Sequence, residues 1–246
     1  SLFDHLLTLL PFEPELFEKE GLRSTFVGHP AVESGVLNGD EERFRSKHNI
    51  NRYSPLLVVL PGSRNSEIDR LIKPFGDAVR DLKAKIPDLK VVLPVVSHLE
   101  NKITKLAESW GDIIISSDSQ EKYDAFAASN FALAASGTVS LELSLAETPM
   151  ITAYKLHPIT WQIIHRIVKS KYINLVNIIA GFKVVPEFIQ DQSRSENLVN
   201  GLLNILENQI DRDKQISAFR IVNSKIKGLG SPSKLAAEVI VKELEK

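Results

Sequence analysis

Two turns in the sequence bring together residue types suited to binding a phosphorylated ligand. In Leu60-Pro61-Gly62-Ser63-Arg64-Asn65-Ser66-Glu67, an apolar run ends in a glycine, a serine and an arginine before a helical pattern begins. Gly62 lets backbone approach a ligand closely, and the amides of a helix start present donors at the positive end of the helix dipole. Arg64 adds a forked cation that matches phosphate or pyrophosphate oxygens. A tight turn in which Arg64 pairs with Glu67 accounts for the same residues, so both readings stand.

The second turn is Ala134-Ala135-Ser136-Gly137-Thr138-Val139-Ser140-Leu141-Glu142. Small residues again open a helix, with hydroxyls and amides facing outward. Ser136 or Thr138 is suited to cap that helix, and capping is the preferred reading of Ser136. Glu142, one turn beyond Thr138, is placed to accept hydrogen bonds from ribose hydroxyls. One turn supplies a cation and the other supplies hydroxyls and a carboxylate, a combination that suits a nucleoside diphosphate. Neither is a Walker A loop or a dinucleotide fingerprint, and no Gly-x-Ser-x-Gly elbow is present.

The elements that hold these turns follow from periodicity. Leu56–Leu60, Leu89–Val96, Asp112–Ser116, Phe131–Ala135 and Met150–Tyr154 read as strands apolar on both faces. Between them Ile68 to Ile86, Leu99–Trp110, Glu121–Ala128 and Thr138–Ala146 read as helices. This alternation predicts an α/β, Rossmann-like doubly wound parallel sheet, in which ligands sit outside the carboxyl ends of the strands. After Tyr154 the pattern reads as helical throughout: Ile159–Lys169, Leu175–Ala180, Pro186–Gln190, Glu196–Glu207, Asp211–Lys227 and Ser233–Glu245. The first thirty residues hold two short helical patterns, one over the opening residues and each ended by Pro11 or Pro14. A strand-like run, Ser24 to Val27, follows, and a short helix is predicted over Glu41–His48.

Composition narrows the function classes. Thirty Lys+Arg against 31 Asp+Glu give a formal charge of -1, so nothing draws the whole chain to nucleic acid. The absence of cysteine excludes a disulfide framework and a thiolate nucleophile. The six histidines show no metal-ligand spacing, so no metal and no cofactor is expected. His29, between Gly28 and Pro30, sits in a turn suited either to ligand contact or to a hinge. The one methionine, Met150, leads us to expect a piece of a longer protein. A stripe of Ile159, Trp161, Ile163, Ile164, Ile167 and Val168, with His165, Arg166, Lys169 and Lys171 beside it, reads as core or as a membrane-facing element. The membrane reading predicts vesicle binding that is lost on Ile163→Asp with Ile167→Asp.

Taken in order, several segments resemble the lipid-A-disaccharide synthase family. They are Leu10-Pro11-Phe12-Glu13, Phe26-Val27-Gly28-His29-Pro30, Leu60 to Arg64 with Glu67, Ala135-Ser136-Gly137-Thr138 with Leu141-Glu142, and Pro149-Met150. The series continues through Tyr172, Leu175, Asn177, Ala180-Gly181 and Pro186-Glu187-Phe188-Ile189-Gln190. The chain departs from the pattern at Val176, where relatives often have proline, and at Ile159, where an aromatic is common.

The resemblance implies one half of a two-domain GT-B architecture. Residues 1–30 would be the tail of a truncated N-terminal domain and crossover. Residues 31–190 would be the UDP-sugar-binding domain, and residues 191–246 C-terminal helices that pack back on the N-terminal domain. It implies an inverting transfer of 2,3-diacylglucosamine from its UDP-linked donor to 2,3-diacylglucosamine 1-phosphate, giving a β-1,6 disaccharide and UDP without a bound metal. The implied location is the cytoplasmic side of the inner membrane, as a peripheral protein. Arg64 would meet the UDP phosphates and Glu142 the nucleoside. Asn177 and Gln190 would line the donor cleft, and Gly62, Ser63, Glu67, Ser136, Gly137, Thr138, Glu187 and His29 complete the expected donor site. The catalytic base is expected in the missing N-terminal domain, so this chain would bind UDP and turn over poorly or not at all. The alternatives are another GT-B protein resembling UDP-N-acetylglucosamine 2-epimerase, and a non-catalytic nucleotide-sugar-binding module.

Overall fold

The structure, a computed structural model, describes residues 3–167, 170–228 and 230–245, without the side chains of residues 164, 165 and 167. Leu6–Thr8 (β1) and Ser24–Phe26 (β2) pair in parallel, with Leu6 opposite Ser24 and Thr8 opposite Phe26. The expected opening helix is therefore a strand. Its apolar run is too short for a stable helix, and β2 supplies ladder partners such as Arg23 O for the Leu6 amide at 2.9 Å. Between these strands Glu13–Lys19 forms α1, with Pro14 in its first turn. Pro14 begins this helix instead of breaking it, because an amide there has no intrahelical partner to lose.

A connector follows, containing Glu41–Lys47 (α2), whose Asp40 cap accepts the Arg43 amide at 2.9 Å. The main sheet then alternates strand and helix. In chain order its elements are Leu56–Leu60 (β3), Asn65–Lys85 (α3), Lys90–Pro94 (β4), Glu100–Ala107 (α4), Ile114–Ser116 (β5), Ser119–Ala128 (α5), Phe131–Ala135 (β6), Val139–Leu145 (α6) and Met150–Tyr154 (β7). Pro158–Ile167 (α7), Leu175–Ala180 (α8), Glu187–Ile189 (β8), Ser195–Glu207 (α9), Gln209–Lys227 (α10) and Pro232–Leu244 (α11) complete the chain. The expected helix over Pro186–Gln190 is the edge strand β8, because the free edge of β7 pairs it, with Thr152 opposite Glu187. Of the predicted helix Ile159–Lys169, residues 168 and 169 lie outside the described residues.

All six strands run parallel in the order β5-β4-β3-β6-β7-β8. Helices α3, α4 and α9 cover one face through Leu71, Phe75, Leu82, Ile103 and Leu202. Helices α2, α5, α6, α8 and α10 cover the other through Phe44, Phe126, Leu141 and Phe219. Every residue of β3 and β6 is buried, which is why both read as unbroken apolar runs. The winding reverses between β3 and β6, so their carboxyl ends flank a crevice. The last helix leaves this core: Arg23 donates to Glu243 of α11 at 2.9 Å, and His5 Nδ1 lies 3.1 Å from the same carboxylate. No helix among the described residues is long and apolar enough to cross a membrane.

Candidate functional site

The two turns singled out in the sequence leave the sheet side by side. Leu60 pairs with Ala134 at the ends of β3 and β6, so the turn at Gly62 and the turn at Gly137 border the same switch-point crevice. In the first, Gly62 has φ +120°, a conformation L side chains avoid, and a Cβ there would stand 2.7 Å from Glu67 Cβ. Glu67 folds back beneath the turn: its Oε2 accepts the Ser63 amide at 3.1 Å, and its Oε1 accepts from Arg64 Nη1 at 2.9 Å. The expected Arg64–Glu67 pairing is present. The Arg64 side chain nevertheless remains 78% exposed at the start of α3, free to swing toward a ligand.

In the second turn neither Ser136 nor Thr138 caps α6, contrary to the capping expectation. Thr138 begins the helix with no side-chain bond, and Ser140 Oγ returns to the Gly137 carbonyl at 2.7 Å. The Ser136 hydroxyl is buried and, among the described residues, without a partner, while its amide bonds Ala153 O at 2.9 Å. A Cβ on Gly137 would meet open space, so the turn is accessible. Glu142 is turned toward α5, where Lys122 donates at 2.6 Å and the Tyr123 hydroxyl at 3.4 Å. It is thus a partnered carboxylate beside the crevice.

His29 is buried, and its Nδ1 accepts the Ala31 amide at 3.1 Å, so the neutral ring carries its proton on Nε2. Burial holds its pKa below the ordinary imidazole value, against the opposing pull of Glu142 and Glu13. His29 and Thr138 share a cavity of about 350 Å³ with Thr8, Glu13 and Leu175. Thr8 Oγ1 there is buried and, among the described residues, unpartnered, a polar group that reading the sequence missed because it lies on β1, in the segment read as helix. This cavity places part of the N-terminal segment at the crevice mouth.

The remaining expected residues do other work. Asn177 is fully buried; its Oδ1 accepts the amides of Val184 and Val185 at 2.7 and 2.8 Å, and its Nδ2 donates to Val185 O at 2.8 Å. These three bonds hold the chain before β8, and in this structure the side chain is covered rather than facing the crevice. Glu187 accepts the amides of Ile173, at 2.9 Å, and Asn174, fixing the start of α8. Gln190 binds the backbone of Leu156 through both amide atoms, at 2.7 and 3.3 Å. Its neighbourhood contains Arg70, Lys155, His157 and Trp161, of which only Trp161 was singled out in the sequence, as part of the α7 stripe. Lys155 and His157 directly follow β7, so the rule that ligands bind beyond strand carboxyl ends was the available signal.

Comparison with known proteins agrees with this fold. The family described as lipid-A-disaccharide synthetase matches residues 1–240. The lipid-A-disaccharide synthase of Rhodospirillum centenum is 43% identical over 250 residues, covering 100% of this chain and 62% of the relative. That of Paramagnetospirillum magneticum is 41% identical over 244 residues, covering 98% of this chain and 62% of the relative. The chain therefore spans about three-fifths of the curated relatives it matches. Among solved structures, S. aureus MnaA with UDP superposes with a TM-score of 0.69 at 17% identity, covering 99% of this chain and 60% of that one. UDP-GlcNAc 2-epimerase from Neisseria meningitidis, bound to UDP-GlcNAc, gives 0.65 at 15% identity, covering 94% and 60%. WaaG, a glycosyltransferase of lipopolysaccharide biosynthesis, gives 0.55 at 19% identity, covering 81% and 50%. At these identities the likeness concerns the fold: it is the Rossmann-like sheet expected from the strand pattern, in the GT-B form that the resemblance implies. Matched along nearly its whole length, the chain belongs to the lipid-A-disaccharide synthase family.

Proposed function

We propose that the protein of which this chain forms part is an inverting glycosyltransferase. It transfers 2,3-diacylglucosamine from a UDP-linked donor to 2,3-diacylglucosamine 1-phosphate, forming a β-1,6 disaccharide and UDP. This chain holds the UDP half of the donor. The observation that carries the reading is the pairing of Leu60 with Ala134, which sets an exposed arginine and two helix N-termini around one crevice. The helix-start amides are donors fixed before a ligand arrives, and Arg64 can swing to join them, so together they can stabilise the charge that grows on a departing diphosphate. That two proteins of the same fold hold UDP or UDP-GlcNAc supports the choice of nucleotide.

In this reading Arg64 and the amides of both turns hold the diphosphate, while Ser136, Thr138 and Glu142 border the sugar and nucleoside. The 6-hydroxyl of the acceptor attacks in line, and a carboxylate outside this chain takes its proton. The cavity at His29 is where the rest of the protein completes the cleft. Exposed apolar side chains on α1 and α11, such as Leu16, Ile240, Val241 and Leu244, fit that arrangement, with residues 1–30 and the last helix belonging to the N-terminal domain's side. The exposed Ile159 and Ile163 of α7 support peripheral attachment to the cytoplasmic face of a membrane.

Calorimetric titration of UDP into the chain and into Arg64→Ala tests the proposal. Saturable binding is expected, weakened about tenfold or more in the variant, the scale of a charge-assisted bond to phosphate. Equal affinities would remove Arg64 from the site. Transfer assays with the chain alone are expected to give little disaccharide, and an epimerised UDP-sugar as product would redirect the assignment.

A further inference from the structure

Glu142 stands on α6, yet among the described residues its side-chain partners both come from α5. Lys122 donates to Oε2 at 2.6 Å, and the Tyr123 hydroxyl reaches Oε1 at 3.4 Å. Both oxygens are addressed from one side, so the carboxylate has a fixed direction at the crevice instead of sweeping across it. Each oxygen keeps a second lone pair and can still accept a ligand hydroxyl. A side chain ordered before the ligand arrives also loses less rotamer freedom on binding.

The lysine is itself held in place. Its ammonium lies 4.8 Å from the centre of the Tyr123 ring and 5.6 Å from that of Phe126, within cation–π range. The two rings are buried and meet edge to face, with their centres 6.1 Å apart. The side chains of Lys122 and Glu142 are 28% and 18% exposed, so salt screens this pair less than one on the open surface.

The flanking residues of α5 tie the helix to its neighbours. Glu121 accepts from Lys47 at 2.9 Å, lies 2.6 Å from His48 Nε2, and accepts from the Ser116 hydroxyl at the end of β5. Asp124 accepts the Asp40 amide at 3.0 Å, and Arg43 Nε and Nη2 at 2.5 Å each. Both carboxylates are buried, and these donors offset the cost of burying them. Of four consecutive residues, the outer two anchor α5 to α2 and the inner two reach across to Glu142. Other pairs, such as Lys73 with Asp77, join residues of a single helix and position nothing beyond it.

We propose that Lys122 is a positioning residue for the nucleotide: it orients Glu142 to accept from the ribose hydroxyls, without touching the nucleotide itself. The inference rests on the reading that Glu142 borders the nucleoside, and it adds what makes that carboxylate effective.

Calorimetry with UDP and with 2′,3′-dideoxy-UDP, which lacks both ribose hydroxyls, tests it. The parent should prefer UDP by about tenfold or more, the scale of a hydrogen bond to a carboxylate. In Lys122→Met, which keeps the apolar stem, the preference should fall to about twofold or less. Affinity for the dideoxy nucleotide should stay within about twofold of the parent. Lys122→Arg retains the charge and should recover most of the preference. Any loss of folded protein affects both nucleotides alike and cancels in their ratio, so a lysine that serves stability alone would leave the ratio unchanged. An unchanged ratio in Lys122→Met, or one that Lys122→Arg fails to restore, would overturn the positioning role while leaving Glu142 at the ribose. A parent that binds the two nucleotides alike would remove Glu142 from the ribose, and the positioning role with it.

Discussion

Arg64 donates to one oxygen of the Glu67 carboxylate at 2.9 Å, while the other oxygen accepts the Ser63 amide at 3.1 Å. The carboxylate thus occupies the donors that a phosphate would need. Arg64 is largely exposed, so leaving Glu67 costs at most about 1 kcal/mol. A diphosphate, whose charged non-bridging oxygens can accept from the Arg64 fork and the loop amides together, offers more. Replacing Glu67 by Gln keeps an acceptor for the Ser63 amide but removes the competing charge. UDP should then bind severalfold more tightly by calorimetry; weaker binding would mean that Glu67 serves chiefly to hold the loop.

Gly62 is required by backbone geometry. At φ +120° an L side chain is strained, and an added Cβ would stand 2.6 Å from Glu67 Oε2. Gly62→Ala should therefore lose about 1–3 kcal/mol of stability in urea unfolding and bind UDP poorly. A variant as stable as the parent would show that the loop relaxes freely.

Asn177 separates a scaffold role from ligand contact. Its side chain makes three bonds to the backbone of Val184 and Val185 from a fully buried position. Asn177→Ala should cost about 2–4 kcal/mol in urea unfolding, because buried amide groups are left unpaired. The UDP affinity of the folded fraction should be little altered. The opposite pattern, a stable variant that no longer binds, would return Asn177 to the donor cleft.

The parallel sheet was legible because β3 and β6 are buried on both faces and so read as unbroken apolar runs, with β7 nearly so. The two turns were legible because ligand loops follow strand carboxyl ends. The strands β1 and β8 were not, since each has three residues and exists through a partner distant in sequence. Side-chain direction was legible only in part. Spacing put Glu142 near the crevice, yet its partners Lys122 and Tyr123 come from α5, which no pattern along α6 reveals. Lys155 carries the strand-end signal, but Arg70 lies on α3, and nothing along either segment shows that the two meet once β7 packs beside its neighbours.

His29 links stability to pH with a definite sign. Burial lowers its pKa, so the unfolded chain takes up a proton near the ordinary imidazole value while the folded chain resists. Its contribution is fully present above about pH 6.5 and declines as pH falls from there through the lowered folded value. Urea unfolding should show stability falling between neutral pH and pH 5, with a smaller fall in His29→Asn, whose amide can still accept the Ala31 amide proton. An equal decline in the two proteins would place the titrating group elsewhere.

The outward face of α7 predicts membrane binding that can be removed without touching the core. Ile159 and Ile163 are exposed, so changing both to Asp should leave the circular dichroism and unfolding midpoint in place. Ile167, whose side chain lies outside the described residues, is left unchanged. Inserting each isoleucine is worth about 1.5 kcal/mol, so losing both should weaken binding to vesicles rich in phosphatidylglycerol by roughly two orders of magnitude. The basic residues beside the helix, Lys155, Arg166 and Lys171, add attraction that salt screens, so parent binding should fall as ionic strength rises. The two effects are separable. A double variant that still binds at low salt and releases at high salt would assign attachment to charge, and one that binds as tightly as the parent at both would remove α7 from the membrane surface altogether.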